Sequence, residues 1–168
     1  FTGLSGSGKS TLAFEVERQL HQQGRDAYVL DGDNLRHGLN DDLGFGGAER
    51  TENVRRVAHV AALFADAGLI ALVPLVSPYR GDRDTARRIH AAAGLAFAEV
   101  FVDTPLHECE RRDPKGLYAA ARRGELASMT GIDDPYEQPW SAELCVTPDD
   151  GPVEHTARTV IEVLVPSN

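Results

Sequence analysis

Apolar residues early in the chain recur at helical spacing. Leu12, Ala13, Val16 and Leu20 share one face, Glu15, Glu17 and Arg18 point outward, and Gly24 stops the pattern. Residues 26–30 read as a strand ending at Asp31-Gly32-Asp33-Asn34, and a polar, glycine-rich connection spans residues 38–47. A helix from about residue 50 to 67 carries Val54, Val57, Ala58, Ala61 and Ala65 as its apolar stripe, and Gly68 closes it. Residues 69–73 are almost continuously apolar, as in a strand buried on both faces, and lead to Ser77-Pro78-Tyr79-Arg80. The pattern then predicts a helix over 85–93, a strand over 98–103, helical turns at 106–111 and 117–123, a short strand at 143–146 and a last helix over 153–165.

Strands alternate with helices throughout. The predicted architecture is therefore a three-layer α/β/α sandwich with a mainly parallel central sheet and helices on both faces. The 168 residues suit one domain, with no internal repeat or linker to divide it. The first predicted helix is preceded by only a stub of strand at Phe1-Thr2, so the chain reads as a fragment of a larger polypeptide.

Composition narrows the partners. At 42% hydrophobic and 26% charged the chain is ordinary for a soluble globular protein, and its formal net charge of −9 argues against nucleic acid and anionic membranes. Any anionic substrate must be held by locally placed Arg and Lys. Cys109 and Cys145 occupy no metal or redox spacing, which fits reduced thiols in a cytoplasmic setting, and the six histidines form no ligand pair. No signal peptide or membrane-length apolar run is present.

Candidate chemistry begins at Gly3-Leu4-Ser5-Gly6-Ser7-Gly8-Lys9-Ser10-Thr11, which reads G-x-x-x-x-G-K-[ST]. In such a loop, glycines let backbone N–H groups cradle phosphate oxygens, the lysine reaches the β- and γ-phosphates, and the following hydroxyl, here Ser10, ligates Mg2+. The next helix adds its positive end. This points to ATP or a similar triphosphate with Mg2+ and leaves the phosphate acceptor open.

Open α/β sheets bind ligands beyond the carboxyl ends of their strands. The loop, residues 31–34 and residues 77–80 all fall there, so the fold should bring them to one crevice. Asp33 is the candidate base, or orients Mg2+-bound water; turn chemistry is the competing reading for it and for Asp31. Arg36, Arg50 and Asn53 form an anion-binding group, with Arg50 and Asn53 on one helix face. Arg55 and Arg56 read better as solvated surface. Phe45, in Gly44-Phe45-Gly46-Gly47, either stacks on a purine or plugs the core beneath its loop. Residues 111–136 are rich in charges and turn formers, as in a mobile lid that brings Arg111, Arg112 and Lys115 to the phosphates.

With these residues assembled, the chain resembles the adenylylsulfate kinase (APS kinase) family of P-loop kinases. The resemblance runs in order from the first residue to about Glu137. It is carried by the loop, by D-G-D-N-L-R-H-G-L-N from Asp31, by D-L-G-F from Asp42, by R-T-E-N-V-R-R from Arg50, by S-P-Y from Ser77, by D-P-K-G-L-Y from Asp113 and by T-G-I-D-D-P-Y-E from Thr130. It implies transfer of the γ-phosphoryl of ATP to the 3′-hydroxyl of adenylylsulfate (APS), giving 3′-phosphoadenylylsulfate (PAPS) and ADP in sulfate assimilation. It also implies roles. Phe45 would stack on the APS adenine, Arg36, Arg50 and Asn53 would hold the rest of APS, and Asp33 would sit by the 3′-hydroxyl and Mg2+. Ser77 matches a serine that is phosphorylated in some members, and no base beside it is visible to make it an obligatory nucleophile. Lys115 and Leu117 would be lid residues. Met129 stands where the family usually has a phenylalanine sandwiching the adenine, and a thioether can still pack on an aromatic face. A fused or associated ATP sulfurylase and a homodimer are the partners the resemblance suggests.

The competing readings are another small P-loop kinase acting on a nucleotide, shikimate or a sugar acid; a nucleotide-dependent switch; and a domain that has lost catalysis. The D-x-x-G match at Asp41 lies in a loop and no N-K-x-D accompanies it, which disfavours the switch. Lys9, Ser10 and Asp33 are intact, which disfavours a dead domain.

Overall fold

The computed structural model describes residues 1–165. Strand β1 (Ala27–Val29) pairs in parallel with β2 (Ile70–Leu72), and β3 (Val100–Val102) pairs in parallel with β4 (Leu144–Val146). Phe1 and Thr2 join the two pairs. The Thr2 N–H donates to the Val100 carbonyl (2.9 Å) and the Leu75 N–H donates to the Phe1 carbonyl (3.1 Å). The order across the sheet is therefore β1, β2, Phe1–Thr2, β3, β4, and the phosphate loop leaves its centre.

Helix α1 (Lys9–Gln22) packs with α7 (Val153–Leu164) on one face, and α3 (Gly47–Asp66) packs with α4 (Arg80–Ala92) on the other. Three shorter helices, α2 (Gly32–Arg36), α5 (Leu106–Arg112) and α6 (Leu117–Arg122), surround the carboxyl ends of the strands. The main core joins Leu12, Val16 and Leu20 of α1 to Val29, Leu72, Val100, Val102 and Val146 of the sheet and to Val160 and Ile161 of α7. A second cluster of Cys109, Tyr118 and Met129 lies under residues 106–132.

The predicted parallel α/β architecture is present, and the differences lie at element starts. Helix α3 begins at Gly47 because Glu49 accepts from the Gly44 (3.1 Å) and Gly46 (2.9 Å) N–H groups, in a first turn with no apolar stripe. Helix α4 begins at Arg80, where the Glu137 carboxylate caps the Arg80 N–H (2.8 Å) from a distant segment. After β1 the chain makes α2 rather than a plain turn, because Asp31 Oδ1 accepts from the Asp33 N–H (2.9 Å). No helix among the described residues is long and apolar enough to cross a membrane.

Candidate active site

The phosphate loop has a conformation only glycine tolerates. Gly8 precedes α1 at φ 103°, and at Gly3, φ 148°, a Cβ would lie 2.5 Å from the Val102 carbonyl oxygen. Its outer carbonyls are pinned from below. Thr104 Oγ1 donates to the Ser7 carbonyl (2.9 Å), Arg112 Nη1 reaches the same oxygen (3.4 Å) and the Tyr118 hydroxyl donates to the Ser5 carbonyl (2.9 Å). Carbonyls held outward leave the first-turn N–H groups of α1, which have no intrahelical acceptor, to face an anion. Sequence reasoning missed Thr104 and Tyr118 as loop supports, although Tyr118 closes the D-P-K-G-L-Y run.

Lys9 is buried and donates to the Leu4 carbonyl (2.6 Å) and to Ser7 Oγ (3.3 Å). Burial chiefly, with the nearby Lys115 charge, brings its pKa down to about 8, against the opposing pull of Cys109, Asp33 and Asp31.

A crevice of about 710 Å³ opens in front of the loop. Ser5, Gly6, Gly8, Lys9, Ser10, Thr11, Arg112, Lys115 and Leu117 line one side. Asp31, Asp33, Arg36, Phe45, Arg50, Asn53, Ser77, Met129 and Thr130 line the rest. The candidate site residues thus converge, except for Gly3, Ser7 and Arg111. Gly3 lies behind the loop against Val102, and the buried Ser7 spends its N–H on the Leu4 carbonyl (3.2 Å).

The far wall is cationic and braced. Arg36 donates to the Leu43 (3.1 Å) and Gly44 (3.0 Å) carbonyls, and its guanidinium lies 4.2 Å from the Phe45 ring centre. Burial and then the neighbouring Arg50 charge lower the Arg36 pKa. Arg50 donates to the Phe45 carbonyl (2.7 Å) and also to Thr130 Oγ1 and the Ser128 carbonyl, tying α3 to residues 128–130. Phe45 is 58% exposed, so it is an open ring and not a core plug. Arg55 pairs with Glu52 (2.7 Å), and Arg56 with Asp42 (2.6 Å) and Glu52 (2.9 Å), on the outer surface and away from the crevice. Arg111 likewise pairs with Glu108 (2.6 Å) at the surface.

Asp33 presents an exposed carboxylate that pairs with Lys115. Ser77 is buried at φ 40°. Its hydroxyl donates to Thr2 Oγ1 (2.9 Å), within a hydroxyl network that includes Tyr136 and no carboxylate or imidazole. Met129 is 6% exposed and belongs to the second core cluster while also lining the crevice.

No group of three or more His, Cys, Asp or Glu side chains among the described residues is placed to hold a metal. Mg2+ does not need one, because it keeps several waters and takes one or two protein oxygens together with substrate phosphates. The Ser10 hydroxyl and the exposed Asp33 carboxylate, both lining the crevice, suit that mode.

A parallel sheet with a G-x-x-x-x-G-K-S loop leaving its centre, facing a crevice with a carboxylate and a cationic wall, defines a P-loop phosphotransferase. The adenylylsulphate kinase family matches residues 1–147, and the chain belongs to that family. An adenylyl-sulfate kinase of Emericella nidulans is 53% identical over 97% of this chain and 82% of its own length. A bifunctional CysN/CysC enzyme of Mycobacterium tuberculosis is 58% identical over 100% of this chain, which spans only 27% of that enzyme. The structure of the M. tuberculosis APS kinase CysC in complex with AMPPNP and APS matches with a TM-score of 0.95 at 59% identity, covering 98% of this chain and 94% of that one.

Proposed function

We propose that this domain transfers the γ-phosphoryl group of ATP to the 3′-hydroxyl of adenylylsulfate, giving PAPS and ADP. The observation that supports this most is the gathering of two groups around one crevice. The phosphate loop with Lys9 and the aromatic and cationic set Phe45, Arg36, Arg50 and Asn53 line the same space, together with Asp33, which pairs with Lys115. A purine with an anionic tail fits that wall, since Phe45 offers a flat apolar face and the two guanidiniums offer forked donors.

The first-turn N–H groups of α1 and the Lys9 ammonium hold the β- and γ-phosphates. Mg2+, held by Ser10 with Asp33 close by, would neutralise charge on the phosphates. The APS 3′-oxygen attacks the γ-phosphorus, the bond from that phosphorus to the β–γ bridging oxygen breaks, and ADP leaves. Asp33 orients the 3′-hydroxyl and takes its proton. Transfer is direct, and Ser77 contributes through its place in the acceptor wall. Residues 111–136 act as a lid, with Arg112 and Lys115 following the donor phosphates and Leu117 and Met129 covering the nucleotides.

The proposed fused or associated partner in the whole protein is an ATP sulfurylase; the bifunctional CysN/CysC enzyme, of which this chain spans 27%, supports a second activity beside a domain like this one. A homodimer is the proposed assembly, and light scattering of the purified domain reads it directly. The activity is tested by mixing the protein with ATP, Mg2+ and APS and measuring phosphorylated product, with shikimate, gluconate and AMP as parallel acceptors. Product from APS is expected; turnover of another acceptor in its place would reject the proposal.

A further inference from the structure

Asn40 lies in the turn between α2 and α3 and is 1% exposed. Its backbone is fixed on both sides, since its N–H donates to the Leu35 carbonyl (3.0 Å) and its carbonyl accepts from the Leu43 N–H (3.2 Å). Its Nδ2 donates to Asn53 Oδ1 (3.0 Å). Its own Oδ1 is the one buried side-chain polar atom without a partner among the described residues. A buried orphan acceptor costs free energy that a leucine of similar shape would avoid, so an asparagine here needs a reason beyond packing.

The reason lies at its hydrogen-bond partner. Asn53 is mostly buried and lines the crevice beside Arg36 and Arg50. An asparagine amide has nearly the same shape in its two orientations, so its bonding partners decide which end faces outward. With Oδ1 held by Asn40, the two N–H donors of Asn53 Nδ2 are the free end. They add to the donors that Arg36 and Arg50 present in the same lining.

We propose that Asn40 is a positioning residue for the acceptor subsite. By donating to Asn53 Oδ1, it turns Asn53 into a hydrogen-bond donor toward an acceptor oxygen or ring nitrogen of the incoming nucleotide. This rests on the reading of that wall as the site for APS.

The test combines substitution with spectroscopy on the intact domain. Asn40→Leu removes the orphan and the donor together. It is expected to raise the KM for APS about tenfold, the loss of one hydrogen bond to substrate, and to leave the KM for ATP unchanged. Asn40→Asp keeps the shape, reverses the bond and is expected to raise the same KM, which covers the case of a leucine variant that does not fold. In an Asn53→Ala background, neither change should add to the effect of Asn53→Ala. An unchanged APS KM in both single variants, or the same rise with and without Asn53, would overturn the assignment. In unliganded wild type, side-chain amide exchange should be slow at Asn40 and fast at Asn53; the reverse order would also overturn it. If the wild type turns over no APS, the proposed function fails, and the exchange measurement still decides the role of Asn40.

Discussion

The Lys115 ammonium, at the turn before α6, pairs with the Asp33 carboxylate on α2 across the mouth of the crevice. Both side chains are at least half exposed, so the pair adds little to stability and separates readily when a competing charge arrives. On the proposed function, phosphates would draw Lys115 one way, while Mg2+ and a substrate hydroxyl would draw Asp33 the other. Asp33→Asn should therefore lower kcat by orders of magnitude, with ATP still binding and the melting temperature nearly unchanged. Steady-state kinetics, nucleotide titration and a thermal melt check this together. Near-normal turnover would remove Asp33 from the base or metal role.

Lys9 gives a pH signature. Burial holds its pKa at about 8 against an ordinary 10.5, so between those values the folded protein binds fewer protons than the unfolded chain. Its effect on stability is therefore unfavourable below that window and is relieved as pH rises through it. Nucleotide binding has the opposite sense. A bound phosphate favours the charged ammonium, so binding near pH 9 should take up close to one proton, falling toward none below about pH 7. Calorimetry in buffers of different ionisation enthalpy measures the uptake, and Lys9→Met should abolish it. Unchanged uptake in that variant would place the proton elsewhere.

Local pattern and local motif carried most of the fold and most of the site. The apolar stripe of Leu12, Val16 and Leu20 placed α1, and the rule that ligands collect at strand ends placed the phosphate loop, Asp33 and Ser77 at one crevice. What stayed hidden depends on contacts between distant segments. The start of α4 is set by Glu137, 57 residues away, and the pinning of the phosphate loop by Thr104 and Tyr118, 97 and 113 residues away. Asn40 was visible only as part of a run of letters. Its burial against Asn53 follows from the fold of the connection between α2 and α3, where no periodicity exists to read.

Phe45 is an exposed ring with the Arg36 guanidinium over one face, leaving the other free for a base. Stacking of a base on an aromatic side chain contributes about 1–3 kcal/mol, and an exposed ring contributes little to folding. Phe45→Ala should therefore raise the KM for APS by one to two orders of magnitude, estimated from that stacking range, and leave the melting temperature and the KM for ATP unchanged. A loss confined to the ATP side, or a loss of stability without a change in the APS KM, would show that the ring does not read the acceptor.

Met129 poses the sharpest choice at the site, because it is both a core residue with Cys109 and Tyr118 and part of the crevice lining. Its backbone is fixed: Asp133 accepts the Met129 N–H (2.6 Å), and the Met129 carbonyl accepts from the N–H groups of Ile132 (3.0 Å) and Asp134 (3.2 Å). Only the side chain can adjust. An unbranched thioether can divide itself between filling the cluster and covering an adenine, whereas a phenyl ring must do mainly one. If the crevice face dominates, Met129→Phe offers a second aromatic wall opposite Phe45, and APS binds as tightly as to the wild type or more tightly. If the cluster dominates, the larger ring overpacks it at about 1–3 kcal/mol and APS binding falls with stability. We expect the first outcome, read as an unchanged or lower Kd for APS by titration, with a thermal melt on the same sample. A large loss of APS affinity would show that Met129 turns its side chain into the cluster and away from the nucleotide.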